Sequence, residues 1–313
     1  MFAPISVVIP AYNMENLITK TLDSLTAQTV SPTEVIVVND GSTDLTLAVV
    51  QSWLDSNDTN FSVQIIDKTN GGLSSARNCG IRAASYELIA LLDSDDRYEP
   101  KFIETALSAF EAKSGLALFF ANQRVVDEHD QKMIEWLEIK SITECRYSKL
   151  VGNINLLNES IIPKLVNGNF ISCSASVFNK SFFNLDELYD ESLKAGEDVE
   201  FLMRVLRDKH VAFTYDELAI VLRHSGSITQ SKRHVVHMGR IFALNKNYKY
   251  LQAHGVDVEG IVKQQFAHCY YQLSLLGLNQ LISFSKESKA TLGIYYGPSL
   301  KDYLRAFIST FNK

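Results

Sequence analysis

The chain has 313 residues, 46% of them hydrophobic, enough for one large α/β domain or two smaller ones around a sizeable core. A formal charge of −6 excludes the basic excess of a general nucleic-acid binder, and Cys79, Cys145, Cys173 and Cys269 lack the paired spacing of a zinc site or disulfide framework. No charged-then-apolar leader opens the chain and no apolar run approaches the roughly 18 residues of a membrane span, so it reads as a soluble, cytoplasmic protein.

Five short runs rich in β-branched residues are predicted strands: ISVVI (5–9), VIVV (35–38), VQII (63–66), LIALL (88–92) and LALFF (116–120). Between the first two, Ile18, Leu22 and Leu25 share a helical face, and stretches near 44–54 and 74–84 also read as helices. This is the βαβ rhythm of a mostly parallel, doubly wound α/β sheet, and runs apolar at nearly every position suit strands buried on both faces. Such sheets bind ligands outside the carboxyl ends of their strands. From about residue 121 the chain is more polar, with a predicted strand over GNFISCSASVF (168–178) and a helix from Val199 to Arg207 burying Val199, Leu202, Val205 and Leu206. Beyond residue 231 it reads as mostly helical.

Polar residues collect at the predicted strand ends. Pro10-Ala11-Tyr12-Asn13 follows the first, and Asn39-Asp40-Gly41-Ser42-Thr43-Asp44, also what an ordinary turn and helix cap would use, follows the second. NGGLSSARNCGI (70–81) leads paired glycines into a helix start holding Ser74, Ser75 and Arg77, a combination suited to an anion. Its spacing matches neither a P-loop nor the G-x-G-x-x-G fingerprint. The fourth strand delivers Asp93-Ser94-Asp95-Asp96; on an extended chain Asp93 and Asp95 project to one side and Ser94 to the other. Two such carboxylates repel unless a cation or proton relieves them, which fits Mg²⁺ or Mn²⁺ completed by phosphate oxygens. A solvated acidic turn capping a helix that starts near Pro100 would use the same residues.

Taken together, VVIPAYN (7–13), VVNDGSTD (37–44), NGGLSSARNCGI (70–81), LLDSDDRYEP (91–100) and GEDVEF (196–201) resemble, in order and spacing, the family 2 nucleotide-sugar glycosyltransferases of the GT-A fold, over roughly the first 230 residues. The resemblance implies a Rossmann-like sheet with helices on both faces. Its nucleotide-sugar-binding half would span 1–120 and its acceptor-binding half 121–230, followed by a helical region, 231–313. It also implies that Asp40 contacts a uracil-type base, that backbone near Pro10 and Tyr12 lines the base pocket, and that Arg77 lies by the nucleotide. Asp93 would hold the ribose and Asp95 the metal, with Ser94 between them in the donor site and Asp96 either orienting Asp95 or capping the next helix. Glu197 and Asp198 open a helix where acidic residues would complement the dipole in any case; the resemblance makes Asp198 the base and sets Glu197 at the donor.

From Leu218 to Val256 there is no Asp or Glu, yet the segment carries Arg223, Lys232, Arg233, Arg240, Lys246, Lys249 and four histidines. RHSGSIT (223–229) resembles a family stretch near the diphosphate, which makes Arg223 a candidate to neutralise it and His224 a candidate metal ligand. Near the carboxyl end Ser299 and Asp302 form a capping-box pattern, and Leu300, Tyr303, Leu304, Phe307, Ile308 and Phe311 share one helical face. Such a stripe usually packs on its own protein; it would also suit another subunit or the inner face of the plasma membrane.

The expected function is metal-dependent, inverting transfer of a sugar from a UDP-sugar to a glycan or lipid-linked acceptor in cell-surface polysaccharide synthesis. A sugar-1-phosphate nucleotidyltransferase is the alternative, although it expects an early glycine-rich loop where this chain has PAYNMEN. A non-catalytic nucleotide-sugar-binding module is another, since fold alone does not imply activity. Donor sugar, acceptor, linkage and oligomeric state are not legible at this level.

Overall fold

The computed structural model describes residues 2–134, 136–137, 141–166, 168–193, 195–224, 233–291 and 296–311. The side chains of Arg233 and Phe311, residue Lys232 and the SGSIT part of the basic motif lie outside the described set. The chain forms two compact units, Met1–Glu191 with Val205–His224, and Ser192–Arg204 with Ser225–Lys313.

The first unit opens with β1 (Phe2–Ala11), α1 (Ile18–Thr26), β2 (Ser31–Asp40), α2 (Thr46–Ser56), β3 (Ser62–Lys68), α3 (Leu73–Ala83) and β4 (Leu88–Leu91). These four strands pair in parallel, in the order β3-β2-β1-β4. After β5 (Arg97–Tyr98) and α4 (Phe102–Ala112), β6 (Leu116–Val126) lies two places beyond β4, separated from it by β10 (Ser176–Asn179), antiparallel to both. β11 (His210–Leu222) runs parallel to β6, and β9 (Ile154–Leu157) and β8 (Tyr147–Val151) close that edge; β7 (Lys132–Ile134) pairs β6. The short helix α5 (Ile162–Leu165) lies between β9 and β10 in sequence. The sheet is mixed and mostly parallel, as expected.

Alternation along β1 and β2 divides the core. Ile5, Val7, Ile9, Val35 and Val37 meet Ile18, Leu22 and Leu25 of α1, Val50 and Trp53 of α2, and Phe102 and Ile103 of α4. On the other face α3 approaches so closely that a β-carbon on Gly80 would lie 2.2 Å from Val8 Cγ1, which brings the helix and its Arg77 down onto β1. The predicted boundary near 121 falls inside β6, so the two halves read from sequence share one sheet.

Two expectations need correction. The strand predicted over 168–178 shrinks to β10: Asn169 accepts the Ile171 N–H, a 3₁₀ turn spans Cys173–Ala175, and the Ser176 hydroxyl donates to the Ser172 carbonyl. Short polar side chains there satisfy the local backbone in place of a ladder. The extended geometry assumed for Asp93 and Asp95 also fails, because β4 ends at Leu91 and the Asp96 N–H closes a turn on the Asp93 carbonyl at 3.0 Å.

The second unit holds α6 (Glu197–Val205), whose last residue, Val205, belongs to the first unit, then α7 (Arg233–Lys246), α8 (Tyr248–Ala253), α9 (Val258–Ser274), α10 (Leu278–Thr291) and α11 (Leu300–Phe311). Val199, Leu202, Val205 and Leu206 are buried, as their spacing predicts. The capping box forms: Ser299 N–H and hydroxyl donate to Asp302 Oδ2 at 2.9 and 2.6 Å, and Asp302 N–H donates back at 3.3 Å. The described residues of the apolar stripe of α11 are exposed, where such stripes usually turn to their own core. Asp302 and Ala306 face inward and Leu300, Tyr303, Leu304, Phe307 and Ile308 outward, since the cap, Arg305 on Ser274, and Thr310 on the Leu278 N–H seat the opposite side. Among the described residues no helix is long and apolar enough to cross a membrane.

Candidate active site

Strand order reverses beside β1, between β2 and β4, so the carboxyl ends of these strands form the crevice where α/β sheets take ligands. The loop after β1 locks onto the loop after β2. Asn13, at φ +54°, a conformation Asn tolerates, accepts the Thr43 N–H at 2.8 Å, and its own N–H donates to Ser42 Oγ at 3.0 Å. Glu15 N–H donates to Asp44 and Leu45 N–H to Glu15, a reciprocal pair that repeats the lock one turn on. Pro10 is buried in this frame, whereas the Tyr12 ring is about half exposed.

Asp40 ends β2 and is withdrawn from solvent. Its carboxylate accepts the Gly71 and Gly72 N–H groups at 3.0 and 2.7 Å and the Lys68 ammonium at 2.6 Å, so it organises the glycine loop that leads into α3. Gly41, at φ +68°, permits this approach: a β-carbon there would stand 2.7 Å from the Asn70 nitrogen. One turn into α3, Arg77 is only 3% exposed and donates through Nη2 to both oxygens of Asp93, at 2.8 and 3.0 Å. Its guanidinium also lies 5.5 Å from the centre of the Tyr189 ring. Asn78 clamps the Tyr189 backbone by donating to its carbonyl and accepting its N–H, both at 2.8 Å.

The turn at the end of β4 gives each residue a separate environment. Asp93 keeps 31% of its side chain exposed beside Arg77. Ser94 is buried, and its carbonyl, like that of Asp96, accepts the Thr21 hydroxyl of α1, at 3.0 and 2.8 Å. Asp95 Oδ2 lies 3.1 Å from His224 Nε2, and both side chains are mostly buried. Burial and the Asp93 charge raise the Asp95 carboxyl above its ordinary range, while His224 opposes the rise. Asp96 caps no helix. It is buried under the turn, accepts the Leu222 N–H at 3.0 Å and is hydrogen-bonded by Ser174, which also takes the Asp93 N–H. Burial together with Asp95 and Asp93 pushes its carboxyl well above the usual carboxylate range.

Arg223 and His224 follow β11 directly; the Arg223 N–H extends the ladder to the Val126 carbonyl, and the His224 side chain reaches Asp95 in the acidic turn. Among the described residues no group of three His, Cys, Asp or Glu side chains could cage a metal. One carboxylate oxygen and one imidazole nitrogen side by side instead suit an ion that draws its remaining ligands from phosphate and water.

Glu197 and Asp198 lie in the second unit, in the first turn of α6, where the Val199 N–H donates to Asp198 at 2.8 Å. Their neighbour Glu200 is buried and paired with Arg204 at 3.0 Å. Gly196, at φ +74°, crosses Gly239 of α7 backbone to backbone, and the next residue, Arg240, has its charged form disfavoured by burial and favoured by Asp198.

Several supporting residues escape a reading of the sequence. Lys68 could have been found, because it stands opposite Asp40 in the β2–β3 register. Thr21, Asn78 and Ser174 carry no such signal, since their partners are backbone groups or side chains distant in sequence. A cleft of about 440 Å³ lies at the opposite, amino edge of the strands, lined by Pro4, Glu87, Phe110 and Lys113 among others, and none of the motif residues reaches it.

The profile of "Glycosyl transferase family 2" matches residues 6–160. An uncharacterized glycosyltransferase of Bacillus subtilis, EpsJ, is 41% identical over 248 residues, 74% of this chain and 64% of that protein. The chain spans between 12% and 66% of the length of the first curated relatives it matches. Staphylococcus aureus TarS 1-349 in complex with UDP-GlcNAc shares the fold, with TM-score 0.58 at 21% identity over 96% of this chain and 79% of that one. The mannosyltransferase PcManGT of Pyrobaculum calidifontis, in complex with GDP-Man and Mn²⁺, does so with TM-score 0.56 at 14% identity over 92% and 80%. With four of the five motifs gathered at the carboxyl edge of a GT-A sheet and the profile and relatives agreeing, the chain belongs to glycosyl transferase family 2.

Proposed function

We propose that this protein transfers a sugar from a nucleotide-sugar donor, a UDP-sugar, to a hydroxyl of a glycan or lipid-linked acceptor in cell-surface polysaccharide synthesis, inverting the anomeric centre. The observation that carries the reading is the gathering of Asp40, Arg77, Asp93, Asp95 and His224 at the carboxyl edge of the sheet. The TarS complex with UDP-GlcNAc supports a nucleotide-sugar donor on this fold.

The exposed Tyr12 ring and Pro10 wall the base pocket, and Asp40 serves the base while holding Gly71, Gly72 and Lys68 in place. Asp93, fixed by Arg77, receives the ribose, and the buried Ser94 holds the turn beneath the donor. Arg223 neutralises the diphosphate, and Glu197 adds to the donor site. Asp95 with His224 would hold Mn²⁺ or Mg²⁺, which when bound supplies Lewis-acid stabilisation of charge on the departing diphosphate. Asp198 takes the proton of the acceptor hydroxyl as its oxygen bonds to the sugar C1 and the bond from C1 to the nucleoside diphosphate breaks. Work on such acceptors puts the protein in the cytoplasm, peripheral to the inner face of the plasma membrane.

The test is nucleotide release from UDP-, GDP- and dTDP-sugars with Mn²⁺ or Mg²⁺, with and without candidate acceptors. Asp95→Ala should abolish the metal-stimulated part. Asp198→Asn should lower transfer by about 100-fold or more while leaving UDP binding largely intact; full transfer by that variant would sink the base assignment.

A further inference from the structure

We propose that the outward face of α11 docks on the anionic surface of a lipid bilayer. The inference stands on the second unit alone and uses nothing of the donor site. An ordinary amphipathic helix turns its apolar stripe to the core. This one turns it out: Leu300 is 85% exposed, Leu304 61% and Ile308 51%, while Ala306 on the opposite side is fully buried. Tyr303 and Phe307 widen the same face, and Tyr271 of α9, itself exposed, continues it beneath the Arg305 guanidinium at 4.6 Å.

Charge selects the occupant. Residues 278–313 carry five basic side chains, Lys286, Lys289, Lys301, Arg305 and Lys313, against two acidic ones, Glu287 and Asp302, in a chain whose net charge is −6. Asp302 is withdrawn into its cap with Ser299 and bonded to Arg305, whereas Lys301, Lys286 and Lys289 are exposed. An apolar face flanked on its own helix by Lys301 and Arg305 matches a helix lying at the boundary of head groups and acyl chains. A second copy of this helix would bring the same cations together instead. With 12 residues, α11 is too short to span the roughly 30 Å hydrocarbon layer and would lie in its plane.

The experiment is co-sedimentation of the full chain with phosphatidylcholine vesicles made with and without phosphatidylglycerol. Partition onto the anionic vesicles should exceed that onto neutral ones by about tenfold and fall with added salt. Leu304→Glu with Ile308→Glu should lower it about tenfold or more, and Lys301→Glu by about tenfold, both with UDP binding unchanged. These positions are exposed, and retained UDP binding and circular dichroism report an intact fold. No sedimentation, or equal binding to neutral and anionic vesicles, overturns the proposal. A concentration-dependent dimer that Leu304→Glu breaks, without vesicle binding, also overturns it and assigns the face to a second copy. Loss of UDP binding with intact sedimentation would instead strike the donor-site reading.

Discussion

At the carboxyl edge of the sheet, charged groups such as Asp40, Arg77 and Asp96 are withdrawn from solvent, whereas in α11 large apolar side chains are turned toward it. Both invert the usual burial of residue types, for different physical reasons. The withdrawn groups have partners: Asp40 takes two amides and an ammonium, Arg77 takes Asp93, and Asp96 takes the Leu222 N–H. Buried polar groups persist only when satisfied in this way, and once satisfied they rigidify the loops that carry them. The stripe of α11 is instead left to water while the helix is held from its other side by a cap and small residues. The contrast separates a preformed pocket from a surface that gains by being covered.

Breaking the first side should cost most. Asp40→Ala removes the acceptor shared by Gly71, Gly72 and Lys68, and urea unfolding should show a loss of about 3 kcal/mol together with weaker UDP binding. Unchanged stability would mean that the glycine loop orders itself without this carboxylate.

Glu34 sharpens the comparison because the same withdrawal occurs nearer the amino end of β2. Burial disfavours its charged form, but hydrogen bonds from Ser6 and Ser85 and the Lys180 charge prevail, and its carboxyl lies below the usual glutamate range. A carboxyl depressed in the folded state stabilises the fold above its unfolded value, and that contribution is lost as pH falls through the folded one. Glu34→Gln should therefore cost about 1–2 kcal/mol at neutral pH and flatten the fall in stability below about pH 4.5. Parallel acid curves for the two proteins would rule the linkage out.

The smallest effects belong to α11. Ala306→Leu, on the seated face, should destabilise by about 1–3 kcal/mol, and Leu304→Ser, on the open face, by less than about 0.5 kcal/mol. Thermal unfolding of the pair checks which way the helix is turned, and the reverse ranking would place the stripe inside.

Much of this was legible without coordinates. The five apolar runs mark five strands, since a sheet covered on both faces needs near-continuous apolar sequence, and their polar ends mark the crevice. Asp93 and Asp95 were less legible: periodicity put them on one side of an extended chain, but a turn begins where β4 stops and sends them to Arg77 and His224. For Asp96 the sequence offered only orienting Asp95 or capping the next helix, because its partners, Leu222 and Ser174, arrive from β11 and from the turn before β10. The segment 168–178 was misread because serine and asparagine can pair with their own backbone as readily as with a neighbouring strand.

By itself the sequence determined the order of strands and helices over roughly the first 120 residues, the family and the edge where its chemistry gathers, because these follow from local periodicity and from motifs carried within a few residues. Only the tertiary structure decided which carboxylate meets arginine, which meets histidine and which is buried under the turn, and which face of α11 is seated. Those outcomes depend on desolvation and on partners tens of residues away, and a hydrogen bond or a buried charge is settled by what stands within a few ångströms, whatever its distance along the chain.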